Sequence, residues 1–89
     1  MAAIGRPKPN ESVYTIGVVE RMTGLSARQI RYYETKGLIT PERSNGNQRL
    51  YSRAQIETLK EVRALREEQL PLEAIAALLS THRREDGER

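Results

Sequence analysis

The chain of 89 residues has no cysteine, no tryptophan and no phenylalanine, and it has a single histidine. Without cysteine it can form no disulfide, no thiolate metal site and no cysteine nucleophile, and this composition fits a reducing cytoplasm. No apolar run approaches the roughly 18 residues of a membrane-spanning helix, and the beginning, MAAIGRPKPN, lacks the apolar core of a signal peptide. We therefore expect one small soluble domain in the cytoplasm, with no metal, cofactor or membrane partner.

Catalytic groups are equally scarce. The histidine, His82, lies in a charged C-terminal segment and has no serine and acid partners in a catalytic pattern. Two pairs of neighbouring acids, Glu67 with Glu68 and Glu85 with Asp86, lie in polar segments, where carboxylates usually serve solubility. The glycines form no phosphate-cradling motif and fit turns and helix ends instead. The sequence thus predicts a protein that is not an enzyme.

Positive charge is concentrated in the middle of the chain. Residues 26–53 carry six basic and two acidic side chains, whereas residues 54–89 carry six basic and eight acidic ones. A local positive field suits a polyanion such as nucleic acid or an anionic membrane. An ordinary solvated surface can carry the same charge, so charge alone leaves both interpretations open.

Helical segments are predicted to follow an N-terminal arm. Residues 1–13 are rich in proline, glycine and polar groups and are expected to form a flexible arm. Thr15 is the expected N-cap of the first helix and Gly24 its expected stop. The second helix begins at once, because Ser26 opens an S-x-x-Q capping box, and it stops at Gly37, which can adopt the left-handed conformation.

Residues 38–51 interrupt the helical period. The dipeptide Asn45-Gly46 is a strong hairpin signal, so two short strands are expected near 39–43 and 48–51. Two helices joined by about three residues that include a glycine, and followed by a hairpin, indicate a winged helix-turn-helix.

Two more helices are predicted after the hairpin. Ser52 opens a second capping box, and a fourth helix follows Pro71 with its apolar face ending near residue 79. Residues 80–89 lack a helical period and are expected to be a charged, frayed tail. The expected fold is mainly α, of order α-α-β-β-α-α, with four short helices sharing one core and a two-stranded wing.

The adjacent residues Tyr32 and Tyr33 are expected to lie in different environments. An α-helix advances about 100° per residue, so one face of the second helix combines four side chains: Arg28, Arg31, Tyr32 and Thr35. Ile30 and Tyr33 fall on the opposite side. We expect Tyr33 to pack in the core and Tyr32 to lie outward among the arginines.

That outward face carries groups that suit DNA. Arginine can bridge O6 and N7 of guanine in the major groove or clamp phosphates, and tyrosine and threonine hydroxyls can donate to phosphate oxygens. A single exposed arginine is more often an ordinary surface group, and Arg31 has Glu34 or Thr35 as a possible local partner. The presence of all four side chains on one face nevertheless favours DNA binding. The hairpin adds candidates for the backbone or the minor groove, namely Arg43, Asn47, Gln48, Arg49 and Tyr51, and of these Arg49 is favoured over Tyr51 as a DNA contact. Tyr51 can equally belong to the core.

A series of motifs in order along residues 14–79 resembles the DNA-binding domain of the MerR family of bacterial transcription regulators. The motifs are Y-T-I-G, G-L-S-x-R-x-I-R-Y-Y-E, G-L-I, R-L-Y-S and L-x-x-I-x-x-L-L. The stretches LSARQIRYYETKGLI and RSNGNQRLYS look most like the nitrogen-responsive branch, that of the glutamine synthetase repressor. The resemblance implies DNA contacts from the second helix (Arg28, Arg31, Tyr32) and from the wing (Asn47, Arg49, Tyr51 and Arg43).

The chain also departs from the family pattern. Many members have glycine before the fourth helix, where this chain has Gln69, and a capping serine where it has Pro71. Most members continue into a long dimerising helix and an effector domain, for which this sequence has no room. Metal-sensing members use cysteines, so metal sensing is not expected here.

These observations predict a sequence-specific, double-stranded-DNA-binding regulator of transcription, acting as a repressor in the bacterial cytoplasm, at the nucleoid. Residues 27–36 are expected to read the major groove, and the wing, residues 38–51, the backbone or minor groove. One recognition helix reads few base pairs, so a homodimer on an inverted repeat is expected. The resemblance adds nitrogen metabolism, with glutamine synthetase as a partner. The alternative is an excisionase-like or architectural DNA-binding factor of the same fold; a pure protein-interaction module would need an apolar or acidic groove, which the sequence does not indicate.

Overall fold

A computed structural model describes the backbone of residues 7–87 and the side chains of residues 7–80. The elements in chain order are β1 (Ser12–Tyr14), α1 (Ile16–Thr23), α2 (Ala27–Thr35), β2 (Glu42–Arg43), β3 (Arg49–Ser52), α3 (Arg53–Glu67) and α4 (Leu72–Gly87). The predicted class is confirmed: a mainly α, winged helix-turn-helix fold with four helices. The sheet has three antiparallel strands in the order β1-β3-β2, one more than predicted.

The additional strand, β1, belongs to the stretch predicted as an arm. Ser12 pairs with Ser52 in β3, and the carbonyl oxygen of Pro9 accepts a hydrogen bond of 2.8 Å from the amide of Ala54. That amide lies in the first turn of α3, where no carbonyl of the helix itself can reach it. Residues 9–13 are therefore part of the fold and not a flexible arm; residues 1–6 of that prediction lie outside the described residues.

The helix-turn-helix is fixed by local hydrogen bonds. Gly24 ends α1 in the left-handed conformation, at φ 78°. Ser26 and Gln29 form the predicted capping box, in which each side chain accepts from the backbone amide of the other residue. A carboxylate oxygen of Glu20 in α1 accepts from the amide of Ala27 at 2.8 Å. The short turn and these caps set the angle at which α2 leaves α1.

The core brings all four helices together with β3. Its fully buried side chains come from α1, α2, β3, α3 and α4: Val19, Ile30, Tyr51, Ile56, Leu59, Val62 and Ile75. The capping box that Ser52 opens with Gln55 is also confirmed. Gln55 in addition donates to the carbonyl of Thr40 at 2.8 Å, which ties the loop after α2 to the start of α3.

The wing turn differs from the two-residue turn that is typical of Asn-Gly. The amide of Asn47 donates to the carbonyl of Ser44 at 2.8 Å, and Asn47 itself is left-handed, at φ 66°. This arrangement corresponds to a three-residue loop, a turn followed by one left-handed residue. Asparagine tolerates that conformation better than most residues.

The last helix, α4, begins after Pro71 as predicted but continues to Gly87. The backbone of residues 80–87 is thus helical, where the sequence predicted a frayed tail. Arginine and glutamate in this stretch are good helix formers, and no proline or earlier glycine interrupts them. Gln69, in the connection before α4, adopts the left-handed conformation at φ 68°.

Candidate nucleic-acid interface

The recognition-helix candidate, α2, turns one face into the core and the other to solvent. Ile30 and Tyr33 are buried, whereas Tyr32 keeps 50% of its surface exposed. Arg28, Arg31 and Thr35 are exposed as well. The predicted separation of the adjacent tyrosines is confirmed, and with it the predicted exposed face. The assignment of these residues to DNA contact stays a prediction.

The two arginines of α2 are available for an external ligand. In the part of the chain with described side chains, neither Arg28 nor Arg31 has a hydrogen bond or an ion pair. The local partner considered for Arg31, Glu34, binds Arg49 instead. Guanidinium groups without internal partners retain all their donors for phosphates or base edges.

Thr35 has an internal bond that changes its expected role. Its hydroxyl donates to the carbonyl oxygen of Tyr32 at 2.6 Å. A hydroxyl has one proton, so in this conformation Thr35 cannot also donate to a phosphate. The bond lies in the last turn of α2, where threonine often closes back on the preceding turn.

Lys36 is a cation of this face that sequence reasoning did not include. It is exposed, and its Nζ lies 5.4 Å from the centroid of the Tyr32 ring, within the range of a cation–π contact. The signal was present, because Lys36 follows Tyr32 by four positions and so shares its helix face. The contact places the Lys36 ammonium beside the exposed ring of Tyr32.

The wing presents two different arginines. Arg43 is exposed, and its Nη1 donates to the carbonyl of Asn47 at 3.0 Å, which braces the turn. Arg49 is half-buried, and its Nε donates to Oε1 of Glu34 at 2.8 Å. Asn47 is exposed at the tip. Arg43 and Asn47 therefore face solvent, whereas Arg49 is engaged with α2.

The structure corrects the assignment of Tyr51 to DNA contact. Its side chain is fully buried, and its hydroxyl has no hydrogen-bond partner among the described residues. Burial raises the pKa of this hydroxyl, the carboxylate of Glu34 raises the pKa further, and nearby arginines oppose the shift. Of the two interpretations left open by the sequence, the core position is the one observed.

The arginines that act on Tyr51 come from three elements. The guanidinium groups of Arg49, Arg31 and Arg43, in β3, α2 and β2, all lower the pKa of the Tyr51 hydroxyl. Arg49 lies opposite Arg43 in the sheet and is bonded to Glu34 of α2, so the basic wing lies beside α2.

The described residues contain no group of three or more histidine, cysteine, aspartate or glutamate side chains placed to hold a metal ion. Of the helices in the described part of the chain, none is long and apolar enough to cross a membrane.

Comparison with known proteins matches the chain to one family model and to several curated transcriptional regulators. The model of the MerR HTH family regulatory protein matches residues 14–82. The HTH-type transcriptional regulator TnrA of Bacillus subtilis is 48% identical over 59 residues, covering 66% of this chain and 54% of the relative. GlnR of Bacillus anthracis is 42% identical over 67 residues, covering 75% and 52%. The transcriptional activator TipA of Streptomyces coelicolor is 37% identical over 67 residues, covering 74% and 26%.

The chain thus spans about half the length of TnrA and GlnR and about a quarter of TipA. The similarity to TnrA and GlnR confirms the predicted likeness to the nitrogen-responsive branch. The matched stretch contains α1, α2, both wing strands and α3. Because its sequence matches the family model and its fold agrees with it, the chain belongs to the MerR HTH family of regulatory proteins.

Proposed function

We propose that this chain binds double-stranded DNA sequence-specifically and regulates transcription. The exposed face of α2, within residues 27–36, enters the major groove, and the wing, residues 38–51, lies along the backbone or the minor groove. One observation carries the proposal: Arg28 and Arg31 are exposed and have no partner among the described residues, on a helix whose other face is fixed in the core. Membership of a helix-turn-helix regulatory family supports it.

The side chains divide into two groups by their chemistry. Arg28 and Arg31 have the planar donor pair that matches a guanine edge, and each can alternatively clamp a phosphate. The hydroxyl of Tyr32 can donate to a phosphate, as can the ammonium of Lys36. In the wing, Arg43 and Asn47 are the exposed candidates for the backbone or the minor groove.

Two copies on an inverted repeat complete the proposal. A single helix in the major groove contacts few base pairs, and a domain of this size relies strongly on phosphate contacts for affinity. Two copies related by a two-fold axis would place two α2 helices in successive major grooves, about 34 Å apart.

The regulated genes, the sign of regulation and the protein partner are proposed from the likeness to the nitrogen-responsive branch and not from the geometry of the structure. Likeness to the nitrogen-responsive regulators favours a cytoplasmic repressor of nitrogen-metabolism genes, with glutamine synthetase as its protein partner. Size-exclusion chromatography of the chain with purified glutamine synthetase tests the partner, and co-elution is the expected result. A reporter fused to the selected site tests the sign of regulation; repression is expected, and activation would contradict it.

The central experiment selects bound duplexes from a random DNA pool and then measures affinity for the selected duplex against salt. A steep salt dependence and an inverted-repeat site are expected. Arg28→Ala combined with Arg31→Ala should remove the preference for the selected over a scrambled duplex. Lys60→Ala is the matched control, because it removes an exposed cation from α3, and it should preserve that preference.

Two results would contradict the proposal: a flat salt response, or equal affinity for selected and scrambled duplexes. The genomic position of the selected sites separates transcription regulation from an architectural or excisionase-like role. Sites at promoters are expected, whereas sites confined to recombination attachment regions would favour the other role.

A further inference from the structure

An ion pair joins the recognition-helix candidate to the wing. Nε of Arg49 and Oε1 of Glu34 lie 2.8 Å apart, and the side chains are only 29% and 21% exposed. Charge-assisted hydrogen bonds of this length are stronger than neutral ones, and partial burial reduces their screening by salt. Ion pairs along α3 are longer and more exposed, and such pairs contribute little.

The pair has other arginines as neighbours: Glu34 follows Arg31 by three positions on α2, and Arg49 lies opposite Arg43 in the sheet. Glu34 is the one acidic residue of α2, and its carboxylate acts on the same buried Tyr51 hydroxyl as the three arginines do. An unpaired carboxylate there would repel the phosphates that the arginines attract. Arg49 therefore neutralises the charge that opposes DNA binding at this surface.

The same contact determines where the wing can lie. Glu34 is on α2, which Ile30 and Tyr33 anchor in the core, so the position of Glu34 is fixed by the core. Arg49 begins β3, and the last two residues of that strand, Tyr51 and Ser52, are buried. The pair consequently holds the start of β3, and with it the wing, against the C-terminal end of α2.

We infer that Arg49 is a positioning residue that acts through Glu34, and that it is not one of the principal DNA contacts. The inference rests on the proposed function and divides the roles within it. Arg28, Arg31 and Arg43 supply the contacts to DNA, whereas the Glu34–Arg49 pair orients the wing and removes a repulsive charge. Loss of Arg49 alone is then harmful mainly because Glu34 is left unpaired.

A charge-matched double variant tests the inference. Glu34→Gln with Arg49→Gln leaves the net charge unchanged and lets two amides replace the ion pair. We expect this double variant to bind a fluorescein-labelled duplex, selected by the wild-type chain, within about threefold of wild type. We expect Arg49→Gln alone to bind about tenfold more weakly, a coupling typical of paired charges. The salt slope of both variants should match wild type, because no phosphate contact is lost.

A direct phosphate contact by Arg49 gives the opposite result. The double variant would then bind as weakly as Arg49→Gln, and the salt slope would fall by about 0.9. That outcome overturns the inference. The matched control is Glu42→Gln with Arg43→Gln, which also preserves net charge; because Arg43 is exposed, this control should weaken binding and lower the slope.

Amide hydrogen exchange in the free protein supplies a readout without DNA. Arg49→Gln should accelerate exchange in β2 and β3 and leave the core amides of α1 and α3 unchanged. Unchanged exchange in the wing would overturn the positioning role, even if DNA binding were impaired. If the wild-type chain shows no specific, salt-dependent binding, the proposed function fails, and the exchange measurement still decides the role of the pair.

Discussion

The rings of Tyr32 and Tyr33 have centroids 5.7 Å apart, yet one ring is half exposed and the other is buried. Consecutive residues of a helix point about 100° apart, so adjacent tyrosines can serve the surface and the core at once. Tyr33 anchors α2, and Tyr32 extends its outer face beside Lys36.

Substitution of Tyr33 should therefore mainly lower stability, whereas substitution of Tyr32 should mainly weaken DNA binding. Tyr33→Ala removes a buried ring and should lower the free energy of unfolding by about 3–4 kcal/mol. Tyr32→Ala should change it by less than about 1 kcal/mol, since it loses only exposed contacts, but should weaken binding to the selected duplex. Urea unfolding measures the first effect and fluorescence anisotropy the second. Equal stability losses would show that the two rings do not have separate roles.

Comparing alanine substitutions at Gly24 and Gly37 measures how much the hydrogen bond of Arg63 contributes to stability. Both glycines are left-handed, at φ 78° and 80°, so alanine at either should cost about 1–2 kcal/mol in conformation. A Cβ at Gly37 meets no neighbouring atom, whereas a Cβ at Gly24 collides with the guanidinium of Arg63, whose Nη1 donates to the carbonyl of Thr23 at 2.7 Å. Gly24→Ala should therefore be the more destabilising by about 1 kcal/mol, the net value of one hydrogen bond.

Urea unfolding of the two alanine variants measures this difference. The control repeats both in an Arg63→Met background, where the hydrogen bond to Thr23 is already lost. The difference should disappear there, and its persistence would assign it to something other than the guanidinium.

Gln69 occupies a backbone conformation that favours glycine. At φ 68° a residue with a Cβ is strained by about 1–2 kcal/mol. Glycine removes this strain, but its greater conformational freedom in the unfolded chain offsets part of the gain in stability. Gln69→Gly should raise the free energy of unfolding by about 0.5–1 kcal/mol. Asn47→Gly is the control, since asparagine already tolerates a similar φ of 66°, and it should gain less. A Gln69→Gly variant less stable than wild type in urea would refute the prediction.

Tyr51 should make stability fall at high pH. Its pKa is raised in the folded state, chiefly by burial, from an ordinary value of 10.0. The stability that its neutral form contributes is complete below pH 10.0 and is lost as the pH rises through the folded pKa. Wild type should therefore lose stability relative to Tyr51→Phe above that pH, and parallel unfolding curves for the two would contradict this.

The same variant has a second, independent outcome at neutral pH. The Tyr51 hydroxyl has no partner among the described residues, and an unsatisfied buried hydroxyl is unfavourable. Tyr51→Phe should be as stable as wild type or more stable by up to about 1 kcal/mol. A clear loss of stability in thermal or urea unfolding would show that the hydroxyl has a partner.

Local signals in the sequence predicted most of the fold. Both capping boxes, the stop at Gly24 and the two faces of α2 depend on residues within one or two turns, and each is present. These features are readable because a helix is held together by neighbours in the chain. The winged helix-turn-helix class followed from their order.

The features that the sequence did not predict depend on residues far apart in the chain. β1 is three residues long, too short to show alternation, and it exists because it pairs with β3. Tyr51 lies in a four-residue strand whose pattern fits either face. The Glu34–Arg49 pair spans 15 positions, so a helical projection of α2 alone cannot find it.

Pairing of β1 with β3 has a practical consequence for fragments of this chain. The family match starts at residue 14, and a fragment trimmed to that limit would discard Ser12 and the Pro9 carbonyl that receives the Ala54 amide. The central strand, β3, would then become an exposed edge strand, and its unpaired backbone groups would be free to pair with a strand of another molecule. If such a fragment aggregates, the cause would be the loss of β1 rather than weak packing of the helices.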